Sequence, residues 1–430
     1  MNQKRVRDAA ARPWRGRLLV MAGVLLVAFT LRTAVTSVPP LTPLIGGEIL
    51  PPWLLGLLGM VPTALFGVAG LLTPLIMRAW SVEAIAVAAM AVSGAGQILR
   101  AGSGETGLFF AGSILALAGM GVGNVVLPPM VKKYFPDRVG LVTALYVTVV
   151  SLGTAVPPLL AVPVAEAAGW RTSIGWWAAI NVLAILPWLR VWPPRARGGM
   201  GAAAAQAARD AADAPRVVVR PWRSPAAWAL ALLFGCTSLN TYTMFAWLPT
   251  IVSEAGLSAG AAGFQLALFA GLGLPTSLFV PVLAGRLRNP FPLVVFGLAC
   301  FVGGYLGLWL APGTATWVWV SLAGLGPTTF PLALVLVNLR TRTHQASGAV
   351  SGFAQGIAYT IACAGPLVAG LLHEATGGWT AMFGFLAATL VVLGVSGWVI
   401  CRPHFIDEQP RVVEFAERPR FQPDAAPPVG

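Results

Sequence analysis

Residues Thr30-Leu-Arg-Thr-Ala-Val-Thr-Ser-Val-Pro-Pro40 place an arginine inside the first long apolar segment of the chain. Arg32 follows the charged N-terminal tail by about 14 residues, which is roughly 21 Å along a helix. A hydrocarbon layer is about 30 Å thick, so this guanidinium group lies well within it. Arginine keeps its proton at such a depth. A charge in this place indicates a functional site unless a structural partner accounts for it.

The composition identifies the class of protein. The chain has 430 residues, of which 57% are hydrophobic and only 10% are charged, and its mean hydropathy is +0.77. Soluble proteins carry about 25% charged residues. Unbroken apolar runs of about 20 residues are typical of membrane-spanning helices, whereas a membrane β-barrel would show short alternating segments. The sequence therefore predicts an all-α polytopic membrane protein.

Apolar segments recur regularly and divide the chain into two halves of six spans. A basic tail (1–17) precedes the N-terminal half (18–193), and a polar linker (194–224) separates this half from the C-terminal half (225–402). Residues 403–430 form a polar tail for which we expect disorder. The twelve predicted spans are 18–40, 53–77, 82–100, 106–129, 139–164, 172–193, 225–250, 260–284, 291–311, 315–338, 347–371 and 379–401.

The net charge of +13 follows the spans and does not form a nucleic-acid-binding patch. With the exception of Arg32, Arg100 and Arg171, every Lys and Arg falls in segments on the side of the N-terminus. Short basic loops stay in the cytoplasm. We therefore predict a multi-pass protein of a bacterial inner membrane with both termini cytoplasmic. Arg100 and Arg171 are assigned to outer loops. We expect the protein to lie in a lipid bilayer and not to bind nucleic acid.

The acidic residues leave Arg32 without a predicted counter-ion. All 15 fall in loops, in tails or at span edges. A desolvated cation without a fixed partner favours a bound anion. The four cysteines lie in or beside apolar spans without metal-ligand spacing, and the three histidines lie at loops or span ends. We expect no metal, no cofactor and no enzyme activity, since the spans hold no cluster of acid, base or nucleophile and no phosphate-binding motif.

The two halves repeat each other weakly. A shift of 208 positions aligns Arg78 with Arg286 and Arg32 with Asn240 of the seventh span. A shift of 205 positions aligns Gly119-Met-Gly-Val-Gly-Asn124 with Gly324-Leu-Gly-Pro-Thr-Thr329. Parallel repeats around a central axis place a substrate site near the midplane. We expect Arg32 and Asn240 to face each other there.

Polar side chains deep in the spans are the candidate binding residues. Arg32 either binds an anion or is a structural arginine bonded to backbone carbonyl groups. Asn124 either lines a cavity or makes an interhelical hydrogen bond, while Tyr242 and Trp247 either close over a ligand or pack against the next helix. The predicted substrate-binding residues are Arg32, Asn124, Tyr146, Asn240, Tyr242, Trp247, Thr329, Gln355 and Tyr359.

Several of these residues stand in stretches that resemble one family. The chain resembles the cyanate permease and 2-nitroimidazole transporter (CynX/NimT) family of the major facilitator superfamily across nearly all its spans. The stretches that carry the resemblance are Leu31-Arg-Thr-Ala-Val-Thr-Ser-Val-Pro-Pro40, Gly121-Val-Gly-Asn-Val-Val-Leu-Pro128, Val131-Lys-Lys-Tyr-Phe-Pro136, Ala246-Trp-Leu-Pro-Thr-Ile-Val-Ser-Glu-Ala-Gly-Leu-Ser258, Ser351-Gly-Phe-Ala-Gln355 and Gly365-Pro-Leu-Val-Ala-Gly-Leu-Leu-His-Glu-Ala-Thr-Gly377.

The resemblance implies the major facilitator fold and a secondary transporter of small solutes that works by alternating access. It implies that Arg32 and Asn124 correspond to the arginine and asparagine of two family motifs. The loop Met77-Arg-Ala-Trp-Ser-Val-Glu83 lacks the usual Asp and several basic residues, and Ser151-Leu-Gly-Thr-Ala-Val-Pro-Pro158 lacks the glycine-proline motif of drug antiporters. These departures argue against gating by that loop and against drug/proton antiport.

We therefore expect a monomeric carrier for a small anion or small polar organic solute, cyanate-like or a short carboxylate. Efflux of a neutral heteroaromatic such as 2-nitroimidazole is the alternative within transport. A receptor that binds a ligand without moving it is a more remote alternative, because the linker and tail are too short for a signalling domain. A co-transported proton or counter-ion is left open by the sequence.

Overall fold

The computed structural model describes residues 14–46, 49, 52–77, 79–191, 221–342, 344–402 and 406. The side chains of residues 14–16, 52, 53, 344 and 345 are outside this description. The predicted basic tail, linker and C-terminal tail, as well as Arg78 of the loop between the second and third spans, lie mainly or wholly outside the described residues.

The described chain is helical, and twelve of its segments are long and apolar enough to cross a membrane. The twelve-span, all-α fold predicted from hydropathy is thus confirmed. Three short 3₁₀ turns lie at Pro39–Leu41, Pro221–Arg223 and Gly326–Thr328. The helices are α1 Trp14–Thr30, α2 Thr33–Thr36, α3 Thr42–Ile45, α4 Pro52–Ile76, α5 Val82–Gly102, α6 Thr106–Tyr134, α7 Val139–Ala168, α8 Trp170–Gly175, α9 Trp177–Val191, α10 Pro225–Glu254, α11 Ala259–Gly271, α12 Gly273–Arg286, α13 Phe291–Leu310, α14 Thr316–Leu325, α15 Thr329–Leu339, α16 His344–Thr376 and α17 Thr380–Cys401.

The first span is interrupted at the stretch that carries Arg32. Helix α1 ends at Thr30, and Arg32 has φ −127° and ψ −4°, outside the helical range. The hydroxyl groups of Thr30 and Thr33 donate to carbonyl oxygens one turn back, at 2.8 and 3.0 Å. Such back-bonding weakens or bends a helix. Pro39 and Pro40 lack an N–H group and prevent α2 from continuing. The local sequence thus breaks the helix where the arginine sits.

The repeat between the halves is visible, but it is imperfect. Helix α6 is continuous through Gly121-Val-Gly-Asn124, whereas the equivalent Gly326-Pro-Thr-Thr329 contains a 3₁₀ turn that separates α14 from α15. The difference is local, because Pro327 stands where the first half has Val122 and cannot donate a helical hydrogen bond. Equivalent spans therefore differ in how their backbones present polar groups.

Among the described residues, the C-terminal half has one apolar core, the N-terminal half has two, and a further group of residues joins the halves. This central cluster draws on the first, second and fourth spans of the N-terminal half and on α10 of the C-terminal half. Its buried members are Ala34, Val35, Val61, Phe66, Ala116, Leu117, Met120 and Tyr242. The two halves therefore meet around the middle of the first span.

Helices α4 and α16 form a seam between the halves. Because the described part of the chain has twelve spans, the start of the first span and the end of the last lie on one side of the bundle, the terminal face, and the opposite side is the far face. Toward the far face the seam is tight, because a methyl group on Gly59 would lie 2.6 Å from Cβ of Pro366. Closer to the middle, the Thr63 hydroxyl donates to Sγ of Cys363 at 3.2 Å. The halves are in contact along this part of the seam.

The same seam opens toward the terminal face. A methyl group on Gly67 would be in ordinary contact with Tyr359, at 3.5 Å from its Cβ, whereas one on Gly70 would meet nothing within 4 Å. On α16, Gly352 and Gly348 follow the face of Tyr359 toward the terminal face and also have nothing within 4 Å. The described bundle is therefore closed at the far face and open toward the terminal face.

Candidate functional site

Arg32 lies on the ring of Phe66, at the point where the seam begins to open. Its guanidinium carbon is 4.5 Å from the ring centroid. A cation–π contact contributes about 0.5–2 kcal/mol, depending on how far the cation is desolvated. Nη1 of Arg32 is buried without a hydrogen-bond partner, and no carboxylate in the described part of the chain forms an ion pair with it. The aromatic ring orients this cation but leaves its charge without a counter-ion.

Two tyrosines bring the C-terminal half to Arg32. Its charge lies within electrostatic range of the phenol groups of Tyr242 and Tyr359. The Tyr242 ring meets Phe245 edge-on with centroids 5.8 Å apart, and the Tyr359 ring meets Phe234 at 6.1 Å. Within the described ranges neither hydroxyl group has a hydrogen-bond partner. A guanidinium group from one half and two free hydroxyl groups from the other therefore lie around one position.

A cavity extends from this position toward the far face. Its volume is about 40 Å³. By that measure one water needs roughly 10–15 Å³, so the cavity suits a solute of a few non-hydrogen atoms. Its lining includes Val35, Ser113, Tyr242, Phe245 and Arg100.

Arg100 corrects the assignment made from sequence. The sequence predicts an outer loop for this residue, but helix α5 continues to Gly102 and the Arg100 side chain turns inward, with 1% of the residue exposed. Its Nη1 and Nη2 donate to the Ala34 carbonyl oxygen and to Oγ of Ser37, both at 3.3 Å. Arg32 is thus not the sole basic residue within the spans.

Asn240 does not face Arg32, and the expectation from the repeat is wrong on this point. Its amide nitrogen donates to the Cys236 carbonyl oxygen and to Oγ1 of Thr389, both at 2.8 Å. Its amide oxygen accepts a hydrogen bond from the Tyr305 hydroxyl at 3.0 Å. Helix α10 is continuous here and holds Asn240 inside the C-terminal half, whereas the broken first span turns Arg32 toward the centre.

Trp247 and Thr329 also make contacts within the C-terminal half. Nε1 of Trp247 donates to the Pro366 carbonyl oxygen at 2.9 Å, and its ring packs against Trp379 at 5.6 Å. The hydroxyl groups of Thr329 and Thr237 are 2.6 Å apart. For Trp247 the structure therefore favours packing against neighbouring helices over closure on a ligand.

The remaining predicted residues lie nearer the terminal face. Asn124 is half-buried on α6, one turn beyond the central cluster, and has no hydrogen-bond partner among the residues described. Gln355 lies one turn from Tyr359, and its amide nitrogen donates to Ser351 Oγ at 2.7 Å. Tyr146 packs against the apolar core of the N-terminal half. Asn124 and Gln355 therefore flank the open side of the Arg32 position.

Glu83, in the first turn of α5 after the loop between the second and third spans, is a buried carboxylate. The Nζ of Lys133 and the hydroxyl group of Tyr134 each lie 2.5 Å from Oε1 of Glu83. Glu83 is fully buried, and its Oε2 has no partner in the described part of the molecule. All three residues belong to the N-terminal half, so this ion pair ties α5 to α6 and does not bridge the two halves.

Sequence reasoning missed Phe66 and Arg100. Nothing distinguishes Phe66 from other phenylalanines in the spans, because its role depends on which helix Arg32 faces. Arg100 did carry a signal: it was one of two basic residues assigned against the positive-inside bias, and a charge in that position needs a reason. Because Arg100 lies at the edge of a span, its burial could not be predicted from the sequence.

Comparisons with known proteins agree with this architecture. The Major Facilitator Superfamily model matches residues 20–364. An uncharacterised transporter, YycB, of Bacillus subtilis (strain 168) is 29% identical over 395 residues, which cover 90% of this chain and 94% of the relative. A 2-nitroimidazole transporter of Escherichia coli (strain K12) is 28% identical over 387 residues, covering 89% and 95%. The cyanate transport protein CynX of the same organism is 27% identical over 306 residues, covering 69% and 75%.

Solved structures agree on the fold alone. A D-xylose–proton symporter superposes with a TM-score of 0.67 at 13% identity, covering 91% of this chain and 98% of the other. A bacterial homologue of the lysosomal transporter Spinster, inward-facing and occupied, gives a TM-score of 0.64 at 15% identity, covering 91% and 97%.

Proposed function

Since the chain belongs to the Major Facilitator Superfamily, and is a membrane transporter of small solutes and not an enzyme, we propose that it carries a small anion, cyanate-like or a short carboxylate. The two halves would expose the Arg32 position to one face and then to the other. The seam that is closed at the far face and open toward the terminal face is one end of such a cycle.

One observation carries the proposal: Arg32 is half-buried beside the cavity, its Nη1 is buried without a hydrogen-bond partner, and no carboxylate among the described residues pairs with it. A bound anion supplies the missing charge, and a guanidinium group binds a small planar anion through two parallel hydrogen bonds. The hydroxyl groups of Tyr242 and Tyr359 offer further donors to the same anion. Asn124 and Gln355 act on the path to the terminal face.

The other predicted residues receive secondary roles in this proposal. Tyr146 borders the path from the N-terminal half. Asn240, Trp247 and Thr329 support the C-terminal half through their own hydrogen bonds and contribute to binding indirectly. This assignment separates residues that touch the solute from those that hold the helices around it.

A second candidate substrate is a neutral heteroaromatic such as 2-nitroimidazole. The aromatic rings near Arg32, namely Phe66, Tyr242, Phe245 and Tyr359, favour it, because they could stack on a planar ring. In that case Arg32 would hydrogen-bond a nitro group. A relative named as a 2-nitroimidazole transporter is 28% identical to this chain over 89% of its length, and one named as a cyanate transport protein is 27% identical over 69%.

The membrane, its orientation and the coupling complete the proposal. The bias of basic residues supports a bacterial inner membrane, with the terminal face toward the cytoplasm. A monomer contains the whole Arg32 position, since both halves of one chain supply it. Any co-transported proton travels on the substrate, because the one fully buried carboxylate described, Glu83, is held by Lys133 and Tyr134.

Counterflow in proteoliposomes tests the proposal. Vesicles loaded with unlabelled cyanate should accumulate radiolabelled cyanate, and formate or acetate should compete. Arg32→Gln should raise the KM for cyanate about 10- to 100-fold, since hydrogen bonds to charged groups are worth about 1.5–3 kcal/mol, and Arg32→Lys should raise it less. Counterflow of 2-nitroimidazole without counterflow of any small anion would overturn the proposal in favour of the second candidate.

A further inference from the structure

We propose that Arg100 is a second anion-binding residue, which receives the substrate at the far face before the substrate reaches Arg32. This inference rests on the proposed function and extends it to a residue that neither the family motifs nor the sequence analysis selected. It assigns different anion-binding arginines to the two ends of the transport path.

Arg100 is buried and its guanidinium group is incompletely hydrogen-bonded. Only 1% of the residue is exposed, and its Nε has no hydrogen-bond partner in the described part of the chain. Its other nitrogens reach only neutral acceptors, the carbonyl oxygen of Ala34 and the hydroxyl oxygen of Ser37. Both distances are 3.3 Å, longer than the usual 2.9–3.0 Å.

The electrostatic consequence is an uncompensated buried cation. Among the described residues, none of the ion pairs includes Arg100. Burying an unpaired charge is costly, and a polar hydroxyl and a carbonyl dipole offset that cost only partly. Arg32 and Arg100 share this property, since each has a buried guanidinium nitrogen without a partner.

The cavity connects Arg100 to the proposed transport path. Arg100 lines it together with Ser113 of α6 and Tyr242 of α10. Tyr242 also lies within electrostatic range of Arg32, so one cavity leads from Arg100 to the Arg32 position. When the far-face seam at Gly59 opens, the wall that carries Arg100 becomes the first cationic surface that an entering anion meets inside the bundle.

The hydrogen bonds of Arg100 suggest how the anion is passed on. Ala34 and Ser37 belong to the interrupted first span, shortly after Arg32. An anion bound to Arg100 competes with these weak bonds to the first span, and its departure toward Arg32 restores them. The structure has the far face closed, and in it Arg100 makes both of these hydrogen bonds to the first span.

A purely structural role is the rival explanation, in which Arg100 only braces the first span. Ser37→Ala distinguishes the two, because it removes one acceptor of Arg100 and leaves the charge. If Arg100 only stabilises the first span, Ser37→Ala and Arg100→Gln should change the KM for cyanate equally, and from both faces. Anion binding predicts that the loss of the charge has the larger effect, and that this effect is confined to the far face.

The experiment measures cyanate transport from each face separately. Right-side-out and inverted membrane vesicles present the far face and the terminal face, in that order, to the external medium. Arg171→Gln is the matched control, because Arg171 is an exposed arginine near the same face, stacked on Trp170 at 4.3 Å, and does not line the cavity. It removes the same charge without touching the path.

We expect Arg100→Gln to raise the far-face KM for cyanate about tenfold or more and to leave the terminal-face KM within about twofold. Arg171→Gln should leave both within about twofold. Arg100→Lys should raise the far-face KM by less, and it provides the test if the glutamine variant fails to reach the membrane. An unchanged far-face KM in that lysine variant would then overturn the inference.

An unchanged far-face KM in Arg100→Gln, with active wild-type transport, overturns the inference and spares the proposed function. Equal shifts from both faces in Arg100→Gln and Ser37→Ala also overturn it, in favour of the brace. Wild-type vesicles that carry no cyanate or short carboxylate from either face overturn the proposed function itself, and the inference with it.

Discussion

Gly59 offers a way to open the closed end of the bundle. A methyl group at this position would lie 2.6 Å from Cβ of Pro366 and 2.8 Å from Cβ of Ala246. Both neighbours are short or cyclic side chains that cannot swing away. Gly59→Ala should therefore destabilise the state that is closed at the far face and favour the state that is open there.

The size of the effect follows from the packing. Overpacking by a methylene-sized group costs about 1–3 kcal/mol, and about 1.4 kcal/mol is a factor of ten in an equilibrium. The helical preference of alanine over glycine is the same in both states and cancels. Gly59→Ala should therefore shift the ratio of the two states by about 5- to 150-fold, using those costs.

A cysteine that lines the cavity reports the shift. Val38 is buried and lines the cavity on the far-face side, so Val38→Cys reacts with a membrane-impermeant maleimide only when the far face opens. The protein without this cysteine gives the background from the native thiols. Gly70→Ala is the matched control on the same helix, because its methyl group meets nothing within 4 Å.

We expect the labelling rate of Val38→Cys to rise at least about fivefold in the Gly59→Ala background and not in the Gly70→Ala background. Equal labelling in both backgrounds would refute the reasoning, because a methyl group would then have the same effect at the closed and open parts of the seam.

Three further substitutions test individual side chains. Glu83→Gln removes the negative charge that Lys133 and Tyr134 hold, and it should lower the free energy of unfolding by about 1–3 kcal/mol with an unchanged KM for cyanate. A melting temperature equal to that of wild type would contradict this. Asn240→Ala leaves the buried Tyr305 hydroxyl without its acceptor and should cost a similar amount of stability, about 1–3 kcal/mol; a large rise in KM without loss of stability would instead restore Asn240 to the binding site. Tyr242→Phe removes one donor to the anion and should raise the KM about 2- to 10-fold, whereas an unchanged KM would place the anion away from this hydroxyl group.

The arrangement of spans could be predicted because hydropathy and charge bias depend on the membrane and not on side-chain detail. The break in the first span was also encoded locally, through the threonines and prolines around Arg32. Tertiary packing could not be predicted in this way. The inward turn of Arg100 depends on carbonyl and hydroxyl acceptors in another span, at Ala34 and Ser37, and on a helix that runs to Gly102.

The contrast between Arg32 and Asn240 shows the limit of the repeat. Sequence alignment of the halves gives the two residues equivalent depth, but their backbones differ. A continuous α10 lets Asn240 bond back to Cys236 and sideways to Thr389, whereas the interrupted first span leaves Arg32 on the Phe66 ring. The repeat predicts how deep a residue lies in the membrane. The direction in which its side chain points depends on local interruptions of the helix, which differ between the two halves.

The measurement that tests the central claim most directly is cyanate-dependent thermal stabilisation of the purified protein and its Arg32 variants. A ligand at 100 times its Kd stabilises the folded state by about 2.7 kcal/mol. If Arg32 binds the transported anion, the melting temperature should rise with cyanate for the wild-type protein, rise only at higher concentrations for Arg32→Lys, and stay constant for Arg32→Gln over the same range. The same dependence on cyanate in Arg32→Gln as in wild type would contradict the claim that Arg32 binds the transported anion.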